Sequence, residues 1–452
     1  MKNPHFEVSQ QFADLNRQYS IVDDLWEGTS AMRRVGTKYL PREPKESKVN
    51  YDSRLNKATL EPIFKRTIVQ SVGKAFSKSI TTNNIPPQLE PMIFNVDQSG
   101  TSLEAFSKDV LVDAIKYGIT YIISDFPVME PNATLQDELQ AGAYPYFVNI
   151  KATHVLDLHV SYIDGIAQLS YFRFLETVVE YEGIKSFNVK QVKEFTFDVD
   201  GAVIYNIWRL DKNKKEYLYD TNVITNMKRI PITPVYGNKI TPFIGEPTLM
   251  DLAYMNIKLY QKTADIDVAL HYGAMPMLVL KGVEQNVDPA TGMETEIVIS
   301  PNSGINVAPD GDARWLELNG SGIKTYQEDV KDLKASMSFL GLELTSPNKT
   351  IHETATGRIL DEHTKNSMLK VITIDLASSI IKAIYHAGQY LQLQSNAEVI
   401  IDTSLTVTSD IALDNIVTLV SSGMLTPAQG LEEVKARMML VTDPIIQSNN
   451  IN

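Results

Sequence analysis

From Ile323 to Leu344 the chain carries an unbroken apolar series, Ile323, Tyr326, Val330, Leu333, Met337, Leu340 and Leu344, spaced alternately by three and four residues. That alternation keeps every member on one stripe of an α-helix, so the segment has to lie against another surface along its whole length. Around the helical wheel the charged residues divide. Lys324, Lys331 and Lys334 fall on one flank of the stripe, and Glu328, Asp329 and Asp332 fall on the other. A basic flank and an acidic flank suit a head-to-tail ring of identical copies, in which one flank faces the opposite flank of the next copy. The same pattern also describes an amphipathic helix packed inside a single chain.

Composition narrows the classes. A chain of 452 residues has material for about two or three domains, and 43% hydrophobic with 21% charged residues describes a globular protein rather than a disordered one. Its formal charge of -13 argues against a protein that grips duplex DNA by neutralising phosphates, which needs clustered Lys and Arg. It leaves room for a protein that DNA passes through without sticking. Cysteine is absent, which excludes disulfides, thiolate metal sites and cysteine nucleophiles. Met1 to Phe12 has neither the basic nor the apolar region of a secretory signal, and the apolar run Ala274 to Leu280, among the longest, has seven residues. A soluble chain of cytoplasmic origin, without a membrane segment, is expected.

The periodicities set out an order of parts. Val8 to Thr81 reads as helical pieces separated near Pro41 and Pro44. Leu103 to Tyr117 is an amphipathic helix closed by Gly118, followed by a buried strand, Ile119 to Ile123. Between Tyr146 and Tyr219 short apolar runs interrupted by Asp164-Gly165 and Asp200-Gly201 predict an antiparallel sheet with hairpin turns. A long helix follows from about Pro247 to Tyr272. After it comes a β-rich insert with strands at Met277 to Leu280, Glu296 to Ser300 and Arg314 to Leu318, and then the seam helix. Two long helices bracketing a compact insert form a stalk with a tip. The polar stretch Thr345 to Thr350 then leads to Glu353 to Leu393, whose 3 and 4 spacing predicts a helix of about 60 Å. Glu398 to Asp402 is expected as a strand, and two further helices end the chain, the second capped by Thr426-Pro427-Ala428-Gln429.

Motifs that carry chemistry are sparse. His352-Glu353 and Glu362-His363 set two histidines eleven residues apart on one helix side, but a metalloprotease helix needs the second four residues after the first, where Thr356 stands. Gly320-Ser321-Gly322 lacks the glycine pattern of a dinucleotide loop, and no Walker-type run occurs. Asp288, Glu294 and Glu296 lack EF-hand spacing and read as a solvated acidic loop. Trp26, Trp208 and Trp315 fall in three different regions, which favours packing over a base-stacking platform. No catalytic group, metal or cofactor is expected.

Several blocks carry a resemblance in their order. They are Asp24-Leu25-Trp26-Glu27-Gly28 through Tyr39-Leu40-Pro41 to Tyr51, Arg54, Leu55 and Ala58, then Trp208-Arg209-Leu210, Met275 to Gly282, Ala313-Arg314-Trp315-Leu316-Glu317 and Glu353-Thr354-Ala355-Thr356. Through nearly the whole chain this succession resembles the portal proteins of tailed bacteriophages. The resemblance implies an α+β portal-like fold: an outer wing over 1–242 of helices and antiparallel sheet, a first stem helix over 243–272, a β-rich clip over 273–322, and a second stem helix over 323–344. A tunnel loop over 345–352, a long wing helix and strand over 353–404, and a short helical crown over 405–452 complete it.

The same resemblance implies a non-enzymatic ring of about twelve copies at one capsid vertex, found in the virion and in the host cytoplasm during assembly. Its partners would be the major capsid protein, the large subunit of the terminase motor docking at the clip, a head–tail adaptor that follows it, and double-stranded DNA passing without sequence recognition. Ser346, Asn348, Lys349 and Thr350 would face the DNA, with Lys331, Lys334 and, less directly, Lys324 lining the channel. Ile323, Tyr326, Val330, Leu333, Met337 and Leu340 would form the stem contact between subunits. Twelve copies would carry about -156 formal charges, which repel a polyanion wherever they face the bore. A capsid or baseplate subunit is the rival reading, and a hydrolase with unrecognised catalytic groups a more distant one.

Overall fold

Helix and sheet boundaries follow local chemistry closely. Ser102 caps the helix Leu103–Tyr117 by accepting the Ala105 N–H at 3.3 Å, and Gly118 ends it in the left-handed region at φ 79°. A side chain at Gly118 would lie 1.6 Å from the Glu246 carbonyl oxygen, so only glycine fits there. The computed structural model describes residues 3–127, 143–224, 227–273, 277–281, 311–316, 321–340 and 355–401.

In chain order the helices are α1 (Gln10–Glu27), α2 (Thr29–Val35), α3 (Lys48–Lys57), α4 (Ile63–Ala75), α5 (Pro91–Phe94), α6 (Leu103–Tyr117), α7 (Met250–Gly273), α8 (Ser321–Leu340) and α9 (Ala355–Tyr390). The strands are β1 (Thr81–Asn83), β2 (Ile119–Asp125), β3 (Tyr146–Lys151), β4 (Val155–Ile163), β5 (Ile166–Glu182), β6 (Lys185–Phe197) and β7 (Val203–Leu210). They continue with β8 (Glu216–Ile224), β9 (Ile232–Tyr236), β10 (Lys239–Thr241), β11 (Ile244–Gly245), β12 (Met277–Lys281), β13 (Asp312–Leu316) and β14 (Glu398–Ile400). The chain is thus a mixed α and β protein.

The hub is a three-stranded antiparallel sheet ordered β3-β2-β9. Every residue of β2 is buried, so neither face meets water. Side chains alternate, and Thr120 and Ser124 share one face: Thr120 reaches Asn149, and Ser124 donates to the Ala383 carbonyl of α9 at 2.8 Å. Tyr121 points the other way and meets Phe172 of β5 edge-on at 5.1 Å. The 36-residue α9, about 54 Å long at 1.5 Å per residue, is fastened to this sheet at further points. Ser379 donates to the Pro234 carbonyl at 2.9 Å, and Asp375 accepts the Tyr236 N–H at 3.0 Å.

Beside the hub lies a five-stranded antiparallel meander, β4-β5-β6-β7-β8. Its first turn, Asp164-Gly165, has both residues at positive φ (52° and 76°), the twist a two-residue hairpin needs. The inner face buries Phe172, Phe174 and Phe195. The outer face is partly covered by the N-terminal segment, where His5 stacks on Trp208 at 3.7 Å and Arg173 donates to the Pro4 and Glu7 carbonyls. Two ion pairs tie strands and helices together: Lys193–Asp125 at 2.7 Å, nearly buried on both sides, and Lys116–Asp23 at 2.5 Å, whose lysine is buried while its carboxylate is partly exposed. One continuous core joins α1–α6, both sheets, α7, the distal half of α8 and α9.

The sequence expectation and the structure differ in detail. Among the helical pieces expected over Val8 to Thr81 there is a further break, since α3 ends at Lys57 and α4 starts only at Ile63, after Pro62. The strand at Glu296 to Ser300, the loop Thr345 to Thr350 and the crown lie outside the described residues.

The helical stalk as candidate functional site

α7 and α8 pack side by side. Lys262 of α7 pairs with Asp329 of α8. Three residues further along α7, Asp265 bonds to the Tyr326 hydroxyl, three residues back along α8. This opposite progression makes the pair antiparallel. It continues past the helices, since Met277 faces Leu316 and Lys281 faces Asp312 in the β12–β13 pair. The chain therefore runs out along α7 and β12 and returns along β13 and α8.

The root of this stalk is bolted to the helical layer. Asn256, fully buried on α7, accepts the Phe64 N–H at 2.9 Å and donates to the Glu61 carbonyl at 2.9 Å, which satisfies the start of α4. Gln261 donates to the Tyr39 carbonyl at 2.7 Å. Arg54 on α3 is 7% exposed and joins Glu46 (2.9 and 2.8 Å), Asp265 (3.2 Å) and the Pro41 carbonyl (2.8 Å). The Arg54 guanidinium beside Glu46 holds that carboxyl below the usual range. Burial pushes the Asp265 carboxyl up, against the pull of Arg54. A solvent-open cleft of about 200 Å³ between α3 and α7 is lined by Glu46, Asn50, Arg54, Asp267 and His271. Its guanidinium is already committed to Glu46, and among the described residues no cluster of three or more His, Asp or Glu could hold a metal.

The seam residues separate into classes. Leu333 is 8% and Met337 1% exposed, both buried within the chain's own core, and Val330 packs against it. Ile323 and Tyr326 are half-buried, and Leu340 is 47% exposed. At Leu333 and Met337 the seam therefore already has a partner inside the chain. The two charged flanks are also partly spent. Asp329 meets Lys262, and Lys334 meets Glu61 at 2.5 Å. One charge from each flank is thus taken within the chain, since α7 and the segment just before α4 come close enough to reach it. Lys324, Lys331, Glu328 and Asp332 stay exposed, outside the ion pairs among the described residues. Ser346, Asn348, Lys349 and Thr350 lie outside the described residues. The Arg54–Glu46–Asp265 junction was missed in sequence, because Asp265 lies 211 residues from Arg54 and no local pattern marks the three.

No helix among the described residues is long and apolar enough to cross a membrane. A family model described as a domain of unknown function (DUF4055) matches residues 248–391, an interval that starts two residues before α7 and closes one residue after α9. No curated protein matches the chain. Among solved structures, a chain in the virion of a native gene transfer agent particle is similar with a TM-score of 0.42 and 10% identity, over 91% of this chain and 99% of that one. A chain in the neck of an empty particle, computed with C6 symmetry, has TM-score 0.42 and 10% identity over 85% and 91%. One in the neck of a native particle, computed with C12 symmetry, has TM-score 0.41 and 9% identity over 91% and 99%.

Proposed function

We propose that the chain is a portal-type subunit, a non-enzymatic structural component of a phage-like virion that assembles into a ring around a channel for double-stranded DNA. The observation that carries the reading is the order of α7, β12, β13, α8 and α9. One polypeptide sends out an antiparallel two-helix stalk, turns back through a strand pair, and returns into a helix of 36 residues fastened across the central sheet. The sequence blocks that resemble portal proteins run in that same order, and the matched family segment spans the same interval.

The physics of a conduit agrees with it. Phosphate contacts that give affinity also give friction, so a channel wall works best with few fixed cations and a net negative charge. A chain of net charge -13 meets that need, and Lys324 and Lys331 stay available as weak, screened contacts. In this reading the tip beyond β12 docks the packaging motor and later a tail adaptor, and the body meets the capsid protein.

Electron microscopy of the purified protein tests the proposal: closed rings with a central hole wide enough for duplex DNA are expected. Stable monomers, sheets or closed shells would refute it in favour of another virion subunit. A variant lacking residues 283–310 should still form rings and lose motor docking. Packaging at wild-type yield by that variant would refute the role of the tip.

A further inference from the structure

β5 and β6 outrun the sheet they belong to. Pairing with β4 stops at Phe174 and pairing with β7 starts at Gln191, yet β5 and β6 remain paired without a register shift to Glu182 and Lys185. Thr177 to Lys190 is therefore a ribbon of two strands alone, closed at Gly183 (φ 62°) and Ile184. Its large side chains stand in water on both faces, Val179 and Tyr181 on one and Phe187 on the other, with Ile184 fully exposed at the tip.

A two-stranded ribbon with no third strand is marginal in water. Chains that stay single blunt such edges with proline, bulges or charge. No proline occurs between Leu175 and Gln191, and the free stretch of β6 carries charge only at its ends, Lys185 and Lys190. On the β5 side Glu180 is already held by Arg209 at 2.7 Å, which quiets one of the two acids there.

We propose that this arm joins copies of the chain: the open edge of β5, Thr177 to Glu182, adds to the open edge of β6, Lys185 to Lys190, of a second copy. A second copy is the occupant because the two edges complement each other. Each has six residues, they run in opposite directions, and they border opposite sides of one ribbon. Rotating a copy about an axis along the arm sets β5 of one beside β6 of the next as an antiparallel pair, the geometry the two strands already share within the chain. Different patches meet, so the contact is heterologous and repeats around a ring. Backbone hydrogen bonds supply the adhesion, and the exposed Val179, Tyr181 and Phe187 become covered. The inference deepens the proposed ring and rests on it for the presence of neighbouring copies.

The chain has no cysteine, so single thiols report the contact directly. Rotation about that axis keeps position 179 level with position 188, its cross-strand partner within the chain. An equal mixture of Val179→Cys and Asn188→Cys full-length proteins, oxidised after assembly, should yield a disulfide-linked pair of chains at least tenfold more abundant than either variant gives alone. The double variant Val179→Asp, Phe187→Asp should raise the concentration needed for ring formation at least tenfold and leave the thermal unfolding of the dispersed chain unchanged. Rings at wild-type concentration without the mixed disulfide overturn the arm contact and leave the ring intact as a reading. Homodisulfides of Val179→Cys alone also overturn it, since they place two β5 edges together. A wild-type chain that stays single at every concentration overturns the ring itself.

Discussion

Replacing Leu333 by alanine separates two roles the seam of α8 can play, packing inside the chain and packing between copies. Leu333 is 8% exposed in a single chain, so almost all of its side chain is withdrawn from water before any neighbour arrives. The substitution removes three carbons. At about 0.8 kcal/mol per buried carbon that is roughly 2.4 kcal/mol of transfer, or about 2.2 after the remaining exposure is discounted, and the hollow left behind brings the total to about 2.5–4 kcal/mol. Met337→Ala, at 1% exposure, falls at about 2–4 kcal/mol. Leu340 is 47% exposed, and its truncation costs the dispersed chain about 1 kcal/mol or less. Urea unfolding followed by circular dichroism measures the first quantity, and sedimentation velocity of the assembled protein measures self-association. The expected result is a lowered urea midpoint for Leu333→Ala and Met337→Ala, with a nearly wild-type midpoint for Leu340→Ala. Should Leu333→Ala unfold at the wild-type midpoint while only self-association weakens, the residue faces a neighbour and the intrachain packing argument is wrong.

Three other outcomes are expected. Gly118→Ala forces a side chain to within 1.6 Å of the Glu246 carbonyl at a φ of 79°, so its cost should be on the order of 3 kcal/mol or more, read as loss of soluble yield; wild-type yield would contradict the tight turn. Arg54→Ala leaves Glu46 without its partner and should cost about 3 kcal/mol in urea unfolding, whereas Lys262→Ala, whose partner Asp329 is half exposed, should cost about 1 kcal/mol or less; equal costs would remove the distinction. Burial, with the like charges of Arg229 and Lys382, lowers His386 from its ordinary 6.5 to about 4, so the unfolded chain takes up the proton first. Stability should therefore fall as pH drops from about 6.5 to 4, by up to about 3 kcal/mol, and level off below; urea midpoints across that range should lose this limb in His386→Gln, and an unchanged profile would refute the assignment.

Features that sequence discloses here are those whose cause is local. The α6 boundary needs only a serine before it and a glycine after it, and the Asp164-Gly165 hairpin needs only two residues that tolerate positive φ. The turn at Gly183-Ile184 carries a weaker signal, because Ile184 is no turn former, and the length of the β5–β6 arm went unseen with it. Stripe and flank on α8 are local as well, but a stripe states which side is apolar and not what covers it. That depends on elements far away in the chain: Glu61 reaches Lys334, and Lys262 reaches Asp329. These two contacts change the arithmetic of the helix. Before them the flanks offer a neighbour three lysines against three acids, and after them Lys324 and Lys331 stand opposite Glu328 and Asp332, all exposed. Exposed pairs of this kind contribute at most about 1 kcal/mol each and weaken with salt. In the proposed ring they would set the rotation of one stalk against the next without holding it together, so the adhesion there would have to come from surfaces that bury backbone or apolar area, of which the proposed β5–β6 arm contact is one.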